Sequence, residues 1–280
     1  MLHLLVEFSR REFSRLFYCR IENVIPELLG NALTRTESLF LAMILLLVST
    51  EVCFADGSND LSSDPDTSVA HFPVKFVDDL SNLFVPENIA PFAVGTAGTV
   101  LDWTLLDGQN SLAGDLRNWN TQPLFDFGTF YGEGWVEGFG SLGCWSVGAF
   151  TNDLRVQEFG RDAFQSLVEA TIVVTGLKYA VGRERPDGSN NLSFPSGHTI
   201  VAFSFAPVVQ KYWGWEAGAA AYLIGTVTAL SRVEGYHHYL SDTIAGAAMG
   251  IIIGNSVVYS PPKDVSVNMG FSQIGITLKI

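Results

Sequence analysis

The chain has 280 residues, enough for one or two domains with a sizeable buried core. Hydrophobic residues make up 48% of it and charged residues 16%, and the formal net charge is −13. So acidic a chain repels polyanions, which argues against the nucleic-acid-binding classes.

The first predicted element is a leader. Residues 1–38 hold five arginines, five glutamates and no lysine, a long stretch for the region before an export signal. Leu39–Val48 is an apolar run of ten residues. That is short for a bilayer span and fits the apolar part of a signal peptide. Cys53 and Ala55 supply small residues before a cleavage site, so the mature chain is expected to begin near Asp56 and to lie outside the cytoplasm, in the periplasm or cell envelope. Residues 1–55 are therefore read as leader, 56–71 as a flexible Ser/Asp/Pro-bearing linker, 72–260 as a helical domain and 261–280 as a tail. Cleavage would remove Cys19 and Cys53 and leave Cys144 with no internal disulfide partner.

Within the domain, Phe72–Phe84 carries apolar residues at 72, 76, 80, 83 and 84, the pattern of a short amphipathic helix. Six longer apolar segments follow: Ile89–Leu106, Trp135–Phe150, Ala163–Val181, Ser196–Tyr212, Gly214–Leu230 and His238–Tyr259. They predict an all-α bundle of about six core helices with a short C-terminal extended tail. Residues 107–134, rich in Gly, Asn and Asp, are expected to form a long loop. Gly246, Gly250 and Gly254 recur every fourth residue, a smooth helix face for packing inside the bundle rather than for a dimer. The tail alternates and is rich in β-branched residues, so it is able to form a hairpin.

The chemistry-bearing residues fall between 178 and 242. Lys178 ends one helix, and Arg185-Pro186 follows after six residues. Pro195-Ser196-Gly197-His198 opens the next helix, and Ser231-Arg232 is followed by His238 and Asp242. Three fixed cations, Lys178, Arg185 and Arg232, suit the oxygens of a phosphate. Ser196 is a good N-cap, Gly197 lets a ligand approach the backbone, and the free amides of that first turn complete an anion cradle. His238 suits a nucleophile, and Asp242, one helical turn on, is placed to fix its tautomer. His198 suits the general acid that protonates the leaving oxygen and then activates water. No cofactor is called for, and no metal: the adjacent pair His237-His238 is poor ligand geometry on a helix. His237 is expected to pack or meet solvent, Arg183 and Glu184 to form a mutual or surface ion pair, and Glu169 to find a buried partner.

Taken together, K-x6-RP, PSGH and SR-x5-H-x3-D resemble the signature of the type 2 phosphatidic acid phosphatase superfamily, with every motif position filled. The resemblance is close over residues 178–242 and absent from residues 1–87. It implies a phosphatase acting on phosphate monoesters or pyrophosphates, lipid-linked or small, through a phosphohistidine on His238. Many relatives are six-span membrane proteins with an outward-facing site. If residue 56 lies outside, copying that topology places the three motifs in the cytoplasm, together with the acidic 107–134 segment whose only basic residue is Arg117. The expected form is therefore an exported helical domain resting on a membrane surface, with an integral six-span protein as the alternative. A vanadium-dependent haloperoxidase is a second enzyme class, though those enzymes are longer. A non-enzymatic envelope-binding protein is disfavoured by the intact His198, His238 and Asp242.

Overall fold

Among the described residues the longest helix starts where the Asp153 side chain accepts from the backbone amides of Arg155 and Val156. It stops where Gly182 turns left-handed, at φ 61°, a conformation that costs glycine nothing. This is Leu154–Val181, and its last turn carries Lys178. It extends a further nine residues upstream of the predicted Ala163 start, because Asp153 caps it earlier.

The computed structural model of the chain describes Asp79, residues 82–105, 111–118 and 121–259, and the backbone of 265–270 and 273–278. The predicted leader and linker lie outside these residues, as does most of the predicted 72–84 helix, of which Asn82–Phe84 forms one 3-10 turn. The helices are α1 Ile89–Leu105, α2 Ser111–Asn118, α3 Gln122–Tyr131, α4 Trp135–Thr151, α5 Leu154–Val181, α6 Gly197–Trp213, α7 Trp215–Glu234 and α8 Leu240–Val258. Six of them, α1 and α4–α8, correspond to the six predicted core segments, and the fold is all-α. The described residues lie within one unit, Ser62–Ile280. The tail pairs β1 Val265–Gly270 with β2 Gln273–Leu278 in an antiparallel hairpin, Val265 opposite Leu278 and Gly270 opposite Gln273.

One expectation is corrected. Residues 107–134 are not simply a loop: α2 and α3 fall inside them. Their glycines and asparagines mask a small apolar face. Ala113, Leu116 and Phe125 are buried together with Val233 of α7. Removing such side chains from water contributes about 1.5–3 kcal/mol for each large one, enough to hold short helices down.

At the centre, α8 lies against α6 along the predicted glycine face. A Cβ at Gly246 would stand 2.9 Å from the Ser196 carbonyl oxygen, and one at Gly250 would stand 2.5 Å from that of Ile200. The face is therefore consumed inside the bundle. At one end of the bundle Phe159 and Ala163 of α5 pack with Val208 and Tyr212 of α6 and with Val257 and Val258 of α8. There Asp162, fully buried, accepts from Tyr212 Oη at 2.8 Å and pairs with Arg161 at 2.9 Å. At the opposite end the C-termini of α5 and α7 meet the N-termini of α6 and α8. All three motifs sit at that second end.

Candidate active site

The motif-bearing loops are tied by backbone hydrogen bonds before any side chain is considered. The Ser193 amide donates to the Arg183 carbonyl at 2.9 Å, and the Ser196 amide to the Asp242 carbonyl at 3.1 Å. The amides of His237 and His238 both donate to the Arg232 carbonyl, at 3.1 and 3.2 Å. The three sequence motifs are thus one structural object. Lys178, Ser196, Arg232, His238 and Asp242 are buried, while Arg185, Gly197 and His198 are half-buried.

Charge organises this pocket. Burial pushes the His198 imidazole well below the ordinary histidine value, and Arg232, His238, Lys178 and Arg185 push it further. His238 is depressed in the same way, by burial first and then by Lys178, Arg185 and Arg232, while the Ser193 backbone opposes the shift. Burial and the neighbouring Arg185 pull the Arg232 guanidinium down to about 10. Both imidazoles therefore stand neutral inside a ring of cations. A Cβ added to Gly197 would point at the Lys178 ammonium, 3.6 Å from Nζ, so the open side of Gly197 faces the same cationic space.

Two expected side-chain roles take a different form. Ser196 is the N-cap residue of α6, yet its hydroxyl makes no capping bond and instead accepts from Thr199 Oγ1 at 2.9 Å. Asp242 Oδ2 lies 3.7 Å from His238 Nδ1, beyond hydrogen-bond length. Its oxygens are committed elsewhere: Oδ1 accepts from Arg183 Nη1 at 2.6 Å, and Oδ2 accepts from Ser193 Oγ at 2.5 Å and the Tyr239 amide at 3.0 Å. Burial pushes this carboxyl up, and Ser193, Arg183 and the Tyr239 amide pull it back.

Arg183 pairs with the buried Asp242, where a mutual or surface ion pair with Glu184 was expected. Its guanidinium lies 4.0 Å from the ring centroids of both Trp103 and Tyr239. The sequence reading gave Arg183 only an ion pair and assigned nothing to Ser193 or Trp103. The usable signal was a second arginine two residues before Arg185, inside the first motif. His237, expected to pack or meet solvent, lies 3.0 Å from Asp187 through Nδ1. Partial burial raises the Asp187 carboxyl, but bonds from Ser189 and His237 outweigh it and hold it at about 2. Glu169 accepts from Gln165 Nε2 at 2.9 Å on its own helix.

Helices α2 and α3 form a collar beside the site. Thr129 Oγ1 donates to Ser231 Oγ at 3.3 Å, Arg117 pairs with Glu234 at 3.3 Å, and Gly132 lies so close to His198 that a Cβ there would reach 2.8 Å from the His198 Cβ.

Residues 161–266 match the family model described as the PAP2 superfamily. This segment is a PAP2 superfamily domain. It holds every motif residue and the helices α6–α8 with most of α5. Over 85 residues the chain is 39% identical to a lipid A 1-phosphatase of Porphyromonas gingivalis, a match covering 29% of this chain and 19% of that protein. Over 144 residues it is 27% identical to a PA-phosphatase related-family protein of Dictyostelium discoideum, covering 40% of this chain and 53% of that one. The chain thus spans about half or less of these relatives. The crystal structure of Aquifex aeolicus LpxE is similar at a TM-score of 0.42 and 22% identity, over 53% of this chain and 94% of that one.

Proposed function

We propose that the chain is an exported phosphatase of the cell envelope, hydrolysing phosphate monoesters or pyrophosphates through a phosphohistidine on His238. The observation that carries the reading is the pair of neutral imidazoles, His198 and His238, set among Lys178, Arg185 and Arg232. A bound phosphate places its oxygens among these cations, and its negative charge raises the proton affinity of His198, which takes the proton that the phosphate monoanion carries. The His238 nitrogen attacks phosphorus as the bond to the leaving oxygen breaks, and His198 gives that oxygen its proton. Water then yields a proton to His198 and attacks phosphorus, the P–N bond breaks, and phosphate leaves as the monoanion with that proton, so both histidines return to the neutral state. Fixed cations supply the charge stabilisation that the equatorial oxygens need in both steps. This supports activity without a divalent metal and inhibition by vanadate.

A lipid-linked substrate at a membrane surface is supported by two features. Two of the similar proteins are named for lipid phosphates, a lipid A 1-phosphatase and a PA-phosphatase related-family protein. Near the mouth, α3 and α4 also expose Phe127, Phe130 and Phe139. The test is phosphate release from an aryl phosphate, phosphatidic acid, a polyprenyl pyrophosphate and lipid A bearing a 1-phosphate, with and without chelator and vanadate. Release in chelator, blocked by vanadate, with acid-labile phosphate trapped on His238, is the expected result. No release from any substrate, or loss in chelator restored by magnesium, overturns the reading.

The same chemistry on an integral membrane platform is a second reading. It is favoured by exposed apolar side chains along α1 and α4, among them Phe92 at 66% and Phe150 at 89% exposure. Among the described residues only α8 is long and apolar enough to cross a bilayer, and it is mostly buried. Extraction of cell membranes with alkaline carbonate separates the two readings.

A further inference from the structure

The described site contains an arginine that the chemistry above does not use. Asp242 is fully buried, and an isolated carboxylate there would be costly. Arg183, with its side chain only 12% exposed, supplies the opposite charge. Its Nη1 bonds both Asp242 Oδ1 and Ser241 Oγ, the latter at 2.9 Å. Trp103 of α1 and the Tyr239 ring both lie 4.0 Å from the guanidinium carbon, and the Trp103 ring also meets Phe194 edge-on at 5.3 Å. A guanidinium fixed by two aromatic rings and two hydrogen-bond acceptors has little freedom left. The other Asp242 oxygen holds the amide of Tyr239, the residue next to His238.

We propose that Arg183 is a positioning residue: clamped by Trp103 and Tyr239, it holds the Asp242 carboxylate, which through the Tyr239 amide sets the loop presenting His238. The inference rests on His238 as the attacking group. It also gives α1, which lies outside the PAP2 segment, a part in the site.

The test uses the full chain with an aryl phosphate and compares R183Q, R183K, W103L, D242N and the R183Q/D242N double variant, with H238A alongside. R183Q is expected to lower kcat about 100-fold with KM within about threefold, because an interaction that positions the nucleophile is lost without loss of phosphate binding. R183K restores part of the rate, and W103L lowers kcat less than R183Q does. In the D242N background R183Q costs less than about threefold more, since both act through one carboxylate. Should R183Q fail to fold, R183K and W103L keep the charge and carry the same kcat-against-KM comparison. A rise in KM with kcat unchanged, full kcat in W103L and R183K, or a loss that multiplies fully in the D242N background overturns the inference. An active H238A overturns the nucleophile reading and this inference with it. An inactive H238A beside multiplicative Arg183 and Asp242 losses overturns this inference alone.

Discussion

As the proposed nucleophile, His238 needs a neutral ring, and its surroundings favour that state. Burial and then Lys178, Arg185 and Arg232 hold its proton affinity well below the usual histidine value. The sign follows directly. The neutral form is fully populated at neutral pH and is lost only as the pH falls through the depressed value. The acid limb of kcat/KM, which reports the free enzyme, is expected to lie below pH 6.5, the ordinary histidine value. Arg185→Ala removes one of the depressing charges and is expected to move that limb upward while raising KM about tenfold or more. A limb that stays in place would remove Arg185 from the electrostatics of His238. His238→Ala is expected to lower kcat by at least about 1,000-fold with an unchanged circular dichroism spectrum, and normal turnover would sink the nucleophile assignment. The residues grouped here were legible in the sequence because chemical type and spacing select them: His238 stands six residues past Arg232, and His198 lies in an intact PSGH. The surroundings of Arg183 were not, because its guanidinium lies over Trp103, some 80 residues earlier, and no local spacing announces a ring on another helix.

Between elements, the site depends on how closely α8 approaches α6. Gly250 faces the Ile200 carbonyl, the Phe203 Cβ and the Ser204 amide, so Gly250→Ala must push the helices apart. A loss of about 1–3 kcal/mol is expected in urea unfolding, with a fall in kcat because α6 carries His198 and α8 carries Asp242. An unchanged midpoint would show that α8 repacks freely. On α4, Glu137 is 2% exposed, and neither carboxylate oxygen has a hydrogen-bond partner among the described residues. Burial pushes it up to about 8, with the Tyr131 side chain beside it. A folded-state value above the unfolded one means stability is fully present below the unfolded value of 4.5 and is lost as the pH rises through about 8. Thermal melts are expected to show the protein less stable at about pH 9 than at about pH 5, with Glu137→Gln flattening the difference. An equal slope in the Gln variant would place the pH dependence elsewhere. The glycine face of α8 was readable from its four-residue period, and so were six helices from their apolar length. α2 and α3 were not, because each buries only a few side chains, such as Leu116 and Phe125, and their Gly/Asn/Asp content outweighs that pattern on paper.

For the molecule as a whole, the basic residues of the PAP2 motifs gather at one end of an otherwise acidic chain, beside apolar side chains that remain in solvent. On α3, Leu124, Phe127 and Phe130 are 46–55% exposed, and on α4, Val136 and Phe139 are 42% and 60% exposed. Trp135 stacks on Phe139 with ring centroids 5.7 Å apart, which keeps the aromatic face ordered. This collar touches the site through Gly132 and Thr129, so a membrane lying against it would bring lipid phosphates to the mouth. Exposed apolar clusters of this kind mark surfaces that associate with a membrane or a partner. The paired substitution Phe130→Ser with Phe139→Ser therefore separates the two uses of the site. Both positions are solvent-exposed, so the fold and the turnover of an aryl phosphate are expected to stay within about twofold of the unsubstituted chain. Binding to phospholipid vesicles, followed by co-sedimentation, is expected to weaken, and kcat/KM for phosphatidic acid presented in those vesicles to fall about tenfold. Equal losses on the aryl phosphate and the vesicle-borne lipid would mean that the collar supports the pocket itself and that no membrane is engaged by this face.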